Sequence, residues 1–404
     1  RSGTRPHPSR WPWPPRSPAE IDVYQRAIDA YEEENPDVTV NLSPTPSDTY
    51  KQQLLTQLQG SQAPDVFYVG AEYIAQLINT GTIAGLGDFM ESDESYAAPD
   101  DFADGLWGSA RKDGEIYGIP VDNNPMLIYY NKNVLEESGI DPNEPQKLYE
   151  QGEWNWENFQ KLNEQLTAND KYGFVVDNSV NNFFSWVWTN DGRMYDDDSN
   201  ILIDDKAQEA FHYLYDNVQA GNFTYGGSLP EGQGADAMFM SNQTGFVGAG
   251  RWLTPMFSEN DSLAFDYIPW PTNNGEQISP AAIATAYIST TAENEHLEEA
   301  MKFITFYTST EGQEARLSGN GNAVPSIQGV DHIIEEAEIP EHSSYLVDAR
   351  EIGIVEAHQS QVPGLDQEVA DILDLMFIGD LSADEAITDL LETIQPLIDD
   401  YRSE

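Results

Sequence analysis

Cysteine is absent from this chain of 404 residues, and its absence excludes several kinds of chemistry. Disulfides, thiolate metal sites and a cysteine nucleophile cannot form, and the chain offers no cysteine for a lipid anchor. Runs of about eighteen consecutive apolar residues are also missing, and no signal peptide with a basic start and an apolar middle is visible. No segment of this sequence is therefore expected to cross a membrane.

Basic residues are scarce, with 19 Lys and Arg against 70 Asp and Glu and a formal net charge of -51. A compact domain with this charge repels itself in dilute buffer, whereas in molar salt the Debye length falls to about 3 Å. Because 39% of the residues are hydrophobic, the composition indicates a globular protein of the halophile type rather than a disordered acidic tail. Nucleic acid and anionic membranes are not expected as partners.

The first eighteen residues differ from the rest of the chain. They contain four Arg and six Pro but no acidic residue, although the remainder is strongly acidic. This composition suggests a GC-rich gene translated in a wrong frame or a remnant of cloning, and a flexible proline-rich linker is the alternative. Residues 1–18 are therefore expected to be disordered or artefactual.

Helical and extended patterns alternate after this segment. The apolar spacing of residues 21–31 predicts a helix that ends before Pro36, and alternation over 38–42 predicts a strand. Residues 65–69 form a buried-strand pattern, and Ser382 with Glu385 predicts a capping box before the last helix. Strands that alternate with helices in this way predict an α/β fold with parallel-rich sheets.

A polar interruption lies between two apolar stretches at residues 113–141. Asn123, Asn124 and Pro125 separate the run that follows Gly118 from the strand pattern of 126–130. A buried amide without a partner costs a few kcal/mol, about 1–3 by mutational measurements. Either the local backbone therefore satisfies these two amides, as in an Asx turn, or they face a cleft that holds a polar ligand.

This stretch resembles the crossover of the family 1 extracellular solute-binding proteins, the receptors of carbohydrate ABC importers. Those proteins share G-x-x-Y-G-x-P, then Y-Y-N-K, then a helix that ends in A/S-G, and every fixed letter is present here. The resemblance continues in order along the chain, through AYEEENPDVTV at 30–40, APDVFYVGAEYIAQLINTGTIAGL at 63–86, EWNWENFQKLNEQL at 153–166, FSWVWTNDGRMYDDD at 184–198, GADAMFMSNQTGFVGAGRW at 234–252 and EEAMKFITFYTSTEGQEA at 298–315.

The resemblance implies the two-lobed fold of periplasmic binding proteins, with two parallel-rich sheets flanked by helices and a hinged cleft between the lobes. Lobe 1 is expected to comprise 19–121 and 284–327, and lobe 2 to comprise 124–280 and 333–404. The hinge crossings are expected near 120–125, 280–284 and 325–333. A chain of this length is also too long for one hydrophobic core.

Sugars present flat CH faces and hydroxyl groups, so a sugar pocket needs aromatic surfaces bordered by carboxylates and amides. By matching position, Trp252 is expected to stack on the sugar, with Phe183, Trp186 and Trp188 as candidates for a second aromatic wall. Core packing is the alternative for each of these four.

In lobe 1, Glu72 corresponds to an acidic ligand contact of maltose-binding relatives, although a solvated surface position is the alternative. Asn124 corresponds to another acidic contact but is neutral, which puts a maltose-type hydrogen-bond pattern in doubt. The remaining candidates are Asn123, Tyr68, Tyr287, Asp48, Tyr50 and Arg251.

No metal site, cofactor or catalytic residue is predicted. The acidic cluster of Asp196, Asp197 and Asp198 with Asp204 and Asp205 lacks the spacing of a calcium loop, and a solvated hairpin explains it. His212, His296, His332, His342 and His358 show no metal-ligand spacing, and no nucleotide-binding glycine motif occurs.

The resemblance implies a monomeric extracellular receptor that captures a sugar by lobe closure and delivers it to the permease subunits of an ABC importer. The full-length precursor is expected to be anchored by a lipid at the cell surface. Two alternatives remain open: a phosphate-ester receptor that uses Arg251, Arg316 or Arg350, and a glycoside hydrolase.

Low salt should unfold the protein, because unscreened carboxylates repel one another in the compact state. Circular dichroism after dialysis from molar salt to about 50 mM salt should show loss of helical signal. An unchanged spectrum would contradict the interpretation of the charge.

Overall fold

The computed structural model describes residues 9–13, 17–177, 179–230, 233–355 and 361–403, without the side chains of 9–13 and of Asp48. The chain divides into two compact units. Unit 1 contains Arg1–Asn124, Thr254–Met256 and Thr285–Ala337, and unit 2 contains Pro125–Leu253, Phe257–Ala284 and Glu338–Glu404.

The principal passages of the chain between the units follow Asn124, Ala284 and Ala337. The first lies within the predicted range 120–125, and the second directly follows 280–284. The third comes after the predicted range 325–333, because the segment up to Ala337 still contributes Val330 and Ile333 to the core of unit 1.

Unit 1 contains short sheets flanked by helices. Its strands are β1 (Ser9–Trp13), β2 (Val40–Pro44), β3 (Phe67–Gly70), β4 (Arg111–Lys112), β5 (Glu115–Ile116), β6 (Ile119–Pro120) and β14 (Ala286–Ser289). Its helices are α1 (Pro18–Glu34), α2 (Ser47–Gln59), α3 (Ala71–Asn79), α4 (Gly87–Met90), α12 (Leu297–Thr308), α13 (Thr310–Leu317) and α14 (His332–Glu335). Single 3-10 turns lie at Pro99–Asp101, Asp104–Leu106 and Gly108–Ala110.

Strand β14 is central in the larger sheet of unit 1, where it runs antiparallel to both β3 and β6. This arrangement differs from the parallel-rich sheet expected from the sequence. The strand–helix alternation does not predict it, because β14 enters the sheet from a distant part of the chain rather than through a local crossover.

Strand β1 pairs in parallel with β2, with Ser9 opposite Val40. Residues 1–18 were expected to be disordered or artefactual, and the strand at residues 9–13 corrects the expectation of disorder for that part. The pairing uses backbone groups, which any composition provides, and proline is tolerated because β1 has a neighbour on one side only.

Unit 2 contains a larger sheet and most of the longer helices. Its strands are β8 (Leu127–Asn131), β9 (Tyr172–Val176), β10 (Thr224–Tyr225), β11 (Thr244–Ala249), β12 (Phe265–Pro269) and β13 (Ile283–Ala284), and β7 (Asn124–Pro125) lies at the passage between the units. Its helices are α5 (Lys132–Glu137), α6 (Glu144–Glu150), α7 (Trp156–Ala168), α8 (Val180–Trp188), α9 (Asp205–Gln219), α10 (Ala235–Met240), α15 (Tyr345–Ile352), α16 (Leu365–Ile378) and α17 (Ala383–Ser403), and α11 spans Thr254–Ser258. Single 3-10 turns occupy Gly226–Ser228 and Arg251–Leu253.

The sheet of unit 2 has the order β10-β9-β11-β8-β12. Strands β10, β9 and β11 are parallel, whereas β8 runs antiparallel to both β11 and β12. The carboxyl ends of the three parallel strands therefore lie along one edge, which is where α/β sheets bind ligands.

Several local predictions are confirmed. The residues 21–31 lie in α1, which buries Tyr24, Ile28 and Tyr31 against the core of unit 1. Ser382 and Glu385 form the capping box, since the backbone N–H of Ser382 donates to Glu385 Oε2 at 2.8 Å and that of Glu385 donates to Ser382 Oγ at 3.2 Å. No helix in the described ranges is long and apolar enough to span a membrane.

Asn131 joins three parts of unit 2 at the end of β8. Its Oδ1 accepts a bond from the backbone N–H of Val134 at 3.1 Å and so caps α5, while its Nδ2 donates to the carbonyl oxygen of Phe239 and to Asn242 Oδ1. The side chain is fully buried. Its polar groups are therefore satisfied without water.

Asn131→Ala should lower the free energy of unfolding by about 1–3 kcal/mol, because the buried groups that bond to Asn131 lose their partners. Chemical denaturation measures the change. Asn143→Ala is the matched control, since Asn143 also precedes a helix but its side chain makes no capping bond, and we expect a change within about 0.5 kcal/mol. Equal effects of the two substitutions would contradict this role of Asn131.

Candidate functional site

Trp252 follows the carboxyl end of β11, in the 3-10 turn Arg251–Leu253. The turn is attached to the sheet below, because the hydroxyl of Tyr129 donates to the carbonyl oxygen of Gly250 at 2.9 Å. Trp252 is half-buried and packs one part of its ring against the core of unit 2. The sequence thus places a partly exposed indole at the edge of the sheet where ligands bind in such folds.

Helix α8 carries the other three predicted aromatic residues, but only Trp188 remains half-buried. Its ring stacks on Phe184 with 5.2 Å between ring centroids. Trp188 can therefore present its other face outside the core.

Trp186 and Phe183 belong to the core, which corrects their prediction as ligand contacts. Trp186 is 1% exposed and packs within 6 Å, centroid to centroid, of Phe159, Phe174 and Trp270. Phe183 is buried beside Phe211 at 4.8 Å. The apolar face of α8 that the sequence pattern shows is thus the face that packs against unit 2.

Arg251 is 1% exposed, although it adjoins the half-buried Trp252. Its positive charge acts on Tyr267, where burial raises the pKa of the phenol and Arg251 partly opposes that rise. The guanidinium therefore lies inside unit 2 and is not a surface cation.

In unit 1, Tyr68 and Tyr287 lie on opposite faces of the sheet. Tyr287 of β14 is opposite Val69 of β3, and Ile288 is opposite Tyr68. Because side chains alternate along a strand, Tyr68 and Tyr287 cannot contact one ligand on the same face. The two candidate tyrosines thus point to different sides of this sheet.

The hydroxyl groups of these tyrosines also bond inside unit 1. Tyr287 donates to the carbonyl oxygen of Leu106 at 3.0 Å, and Tyr50 donates to the carbonyl oxygen of Tyr68 at 2.9 Å. All three side chains are less than 10% exposed, at 1% for Tyr287, 6% for Tyr50 and 7% for Tyr68. Their described contacts are structural.

A buried arginine organises the side of the sheet that carries Tyr68. Arg316 is 1% exposed, and it donates to the Tyr68 hydroxyl at 3.1 Å and to the carbonyl oxygen of Val121. Its guanidinium also lies over the ring of Tyr307, 4.8 Å from the centroid, and Tyr307 is 2.7 Å from Tyr68 between hydroxyl oxygens. This network was not predicted from the sequence, where Arg316 was only a candidate phosphate contact.

Asn124 lies at the end of unit 1, where its side chain is 1% exposed. Its Oδ1 accepts a bond from the backbone N–H of Val324 at 2.8 Å, and the carbonyl oxygen of Val324 accepts one from Asn123 N at 3.0 Å. Both bonds hold the 320s loop to the segment before the first passage. Asn124 is thus satisfied by backbone of a distant loop, rather than by an Asx turn.

Asp122 was missed by the sequence analysis, although it lies in the same polar stretch. Its Oδ1 accepts a bond from Ala286 N at 3.0 Å, and its carbonyl oxygen accepts one from the Thr285 hydroxyl at 2.8 Å. Asp122 therefore binds Thr285 and Ala286, the residues with which the chain re-enters unit 1 after the second passage.

Asn123 and Glu72 keep more solvent access. The Asn123 side chain is half-buried and makes no hydrogen bond within the described ranges. Glu72 is exposed in the first turn of α3, with its carboxylate folded over Gly70. Desolvation by the surrounding protein raises the Glu72 pKa, while its own backbone N–H and the charge of Lys51 oppose the rise. Both groups can bond to a polar molecule.

The predicted set therefore divides into two groups. Trp252, Trp188, Asn123 and Glu72 are at least partly exposed, whereas seven others are buried: Phe183, Trp186, Arg251, Tyr50, Tyr68, Tyr287 and Asn124. The side chain of Asp48 lies outside the described residues.

Two surface depressions within single units lie away from these residues. One of about 330 Å3 in unit 1 is lined by Asp101 and Gln328, and one of about 660 Å3 in unit 2 is lined by Tyr213 and Gln208.

The predicted acidic hairpin also has a structural explanation, because Asp196 Oδ1 accepts backbone bonds within its own turn.

Replacing Arg316 by lysine should lower the free energy of unfolding by about 3 kcal/mol. One ammonium cannot reproduce the planar guanidinium that reaches both Tyr68 and Val121. Thermal or urea denaturation measures the loss. Arg193→Lys is the control, since Arg193 pairs with Asp197 at 2.5 Å, both side chains are largely exposed, and the change should cost less than about 1 kcal/mol. A stability loss no larger than that of the control would contradict the role of Arg316.

Comparison with known proteins agrees with this architecture. The family model described as bacterial extracellular solute-binding protein matches residues 17–314. An arabinooligosaccharide-binding protein of Halalkalibacterium halodurans is 24% identical over 49% of this chain. That alignment spans 43% of the relative's own length, and alignments with Brucella abortus relatives span 28% of theirs.

Two solved structures show the same fold over nearly the whole chain. An ABC substrate-binding protein of Listeria monocytogenes in complex with cycloalternan has a TM-score of 0.82 and 19% identity, covering 97% of this chain and 99% of its own. UgpB from Mycobacterium tuberculosis in complex with glycerophosphocholine has a TM-score of 0.79 and 16% identity, covering 98% and 99%. The predicted α/β fold class is confirmed, and the chain belongs to the family of bacterial extracellular solute-binding proteins.

Proposed function

We propose that this protein is the extracellular receptor of an ABC importer and that its ligand is a sugar or oligosaccharide. The observation that carries the proposal is Trp252, a half-buried indole at the carboxyl end of β11 in a chain of the solute-binding family. A partly exposed aromatic plane suits the CH face of a pyranose.

Three further residues have the chemistry that the proposal requires. Trp188 supplies a second partly exposed indole in unit 2, and Asn123 and Glu72 supply an amide and a carboxylate in unit 1. Sugar hydroxyl groups both donate and accept hydrogen bonds, so an amide and a carboxylate together can bond to neighbouring hydroxyls. The names of the arabinooligosaccharide-binding and cycloalternan-bound relatives support the same class of ligand.

The proposed mechanism is closure of the two units on the ligand, followed by recognition of the closed form by the permease subunits. A ligand shifts such an equilibrium only by the difference between its affinities for the closed and open forms. The protein acts as a monomer and makes or breaks no bond in the ligand.

A phosphate-ester ligand is the second candidate, because one relative of the same fold was solved with glycerophosphocholine. The basic residues that such a ligand needs disfavour it here. Arg251 and Arg316 are each 1% exposed, and Arg350 bonds to Glu351. Hydrolysis of a glycoside is disfavoured by family membership, which is with binding proteins.

Trp252→Ala should weaken sugar binding at least about tenfold, which corresponds to about 1.4 kcal/mol of lost binding free energy. Isothermal titration calorimetry in molar salt, with a panel of oligosaccharides, polyols and phosphate esters, first identifies the ligand. The substitution is then tested against that ligand, and its circular dichroism spectrum should match that of the unchanged protein.

Tyr172→Ala is the matched control for this experiment. Tyr172 is an aromatic residue of unit 2 that is 43% exposed, but it starts β9 and so lies at the amino end of the parallel strands. Its replacement should leave affinity unchanged. Binding of phosphate esters alone, release of sugar products, or equal affinity of the two variants would each overturn the proposal.

A further inference from the structure

Asp266, Glu341 and His342 form a compact group of possible metal ligands in unit 2. One ligand atom from each lies within 4.8 Å of those of the other two. The His342 Nδ1 atom is 2.7 Å from Asp266 Oδ2, and the backbone N–H of His342 donates to Asp266 Oδ1 at 3.3 Å. Nitrogen and carboxylate oxygen are the ligands that zinc and related ions bind.

The fold brings these residues together from distant parts of the sequence. Asp266 lies in β12, whereas Glu341 and His342 lie in the loop before α15. His342 also stacks on Tyr345, with 5.4 Å between ring centroids and 12° between ring planes. This packing holds the His342 imidazole beside the Asp266 carboxylate. The spacing of histidines in the sequence gives no sign of this arrangement.

A cation already lies beside the two carboxylates. Lys132 Nζ is 3.6 Å from Asp266 Oδ2 and 4.0 Å from Glu341 Oε2. Its side chain is 20% exposed and flexible, whereas Asp266 is fully buried. The carboxylates of Asp266 and Glu341 thus both stabilise the positive charge of Lys132. A metal ion that binds these carboxylates must displace the Lys132 ammonium.

Tyr130 provides an independent observation. It lies directly opposite Asp266 in the β8–β12 pairing, so both side chains are on the same face of the sheet. Tyr130 is fully buried, and its hydroxyl interacts with the Asp266 carboxylate. Burial raises the Tyr130 pKa, and the charges of Asp266 and Glu341 raise it further. A buried phenol hydroxyl therefore lies next to the carboxylates.

We propose that Asp266, Glu341 and His342 bind a divalent transition-metal ion, with Zn²⁺ as the representative ion. Two ligands at about 2.0 Å from a tetrahedral ion are about 3.3 Å apart, so Asp266 Oδ2 and His342 Nδ1, now 2.7 Å apart, need to separate by about 0.6 Å. A metal-bound water would be the fourth ligand. The ion takes the place of the hydrogen bond between His342 Nδ1 and Asp266 Oδ2.

The histidine nitrogen determines the class of ion. Mg²⁺ and Ca²⁺ prefer oxygen ligands, which 70 acidic residues offer throughout the surface, whereas an imidazole favours Zn²⁺, Ni²⁺ or Co²⁺. The site is distinct from the proposed sugar-binding residues, none of which belongs to it. Its consequence is structural, because a bound ion would join the loop before α15 to strand β12.

The test uses the intact protein freed of metal by a chelator and titrated with zinc nitrate in a calorimeter. Molar potassium nitrate with excess Mg²⁺ occupies the surface carboxylates and avoids chloride complexes of zinc. We expect one zinc site and a higher melting temperature when zinc is present.

Four variants separate the proposed site from adventitious binding. His342→Gln should weaken zinc binding at least about tenfold, and Glu341→Gln should also weaken it. Lys132→Met should strengthen it several-fold, because the competing ammonium is removed. His212→Gln is the control, since His212 forms an exposed pair with Asp384 at 3.0 Å and should not matter.

The variants Glu341→Gln and Lys132→Met keep the test decisive even where His342→Gln impairs folding, since both change side chains at the solvent-facing side of the group. The proposal is overturned by zinc affinity that is unchanged in both of these variants. It is also overturned by equal affinities in folded His342→Gln and His212→Gln.

Discussion

A single buried positive charge, that of Arg316, is the constraint on which the arrangement of unit 1 depends. A guanidinium cannot lose its charge at any physiological pH, so every group around it must compensate for its lost hydration. Tyr68 and Tyr307 do so with a hydroxyl and a ring face, and Val121 does so with its carbonyl oxygen. Arg316 therefore fixes the segment that leads out of unit 1 as firmly as it fixes the sheet. Asp122 and Asn124 extend the same attachment to Ala286 and Val324 of unit 1.

Some aromatic residues of unit 2 form its core and others stay partly exposed, and helix α8 carries both kinds. Trp186 and Phe183 complete a core of edge-to-face rings, while Trp188 and Trp252 rest on that core and stay partly exposed. A ring that is supported from below loses little conformational freedom when a ligand stacks on it, which lowers the entropic cost of binding. The large core aromatics thus support the two partly exposed indoles that we propose as sugar contacts.

The sequence predicted the class of fold, the first and last helices and the polar segment at the first passage, because apolar periodicity and turn residues act locally. It could not predict that β14 inserts antiparallel between β3 and β6, since this depends on a pairing partner more than 150 residues away. The same limit applies to the candidate site. A tyrosine or tryptophan in a matching segment gives no information on which face of its element is buried, and Tyr287, Tyr68 and Trp186 proved to be internal. Asp266 and His342 meet only through tertiary structure, so their spacing in the sequence contained no signal.

The central position of β14 has a consequence for the order in which the protein folds during synthesis. Strand β3 leaves the ribosome early. Strand β14, which lies between β3 and β6 in the sheet, is translated after every strand of the five-stranded sheet of unit 2. The sheet of unit 1 that contains β3 and β6 therefore stays incomplete during synthesis until all strands of the unit 2 sheet have been translated. A nascent chain stalled before residue 286 would expose the apolar edge of β3 to chaperones and to other chains.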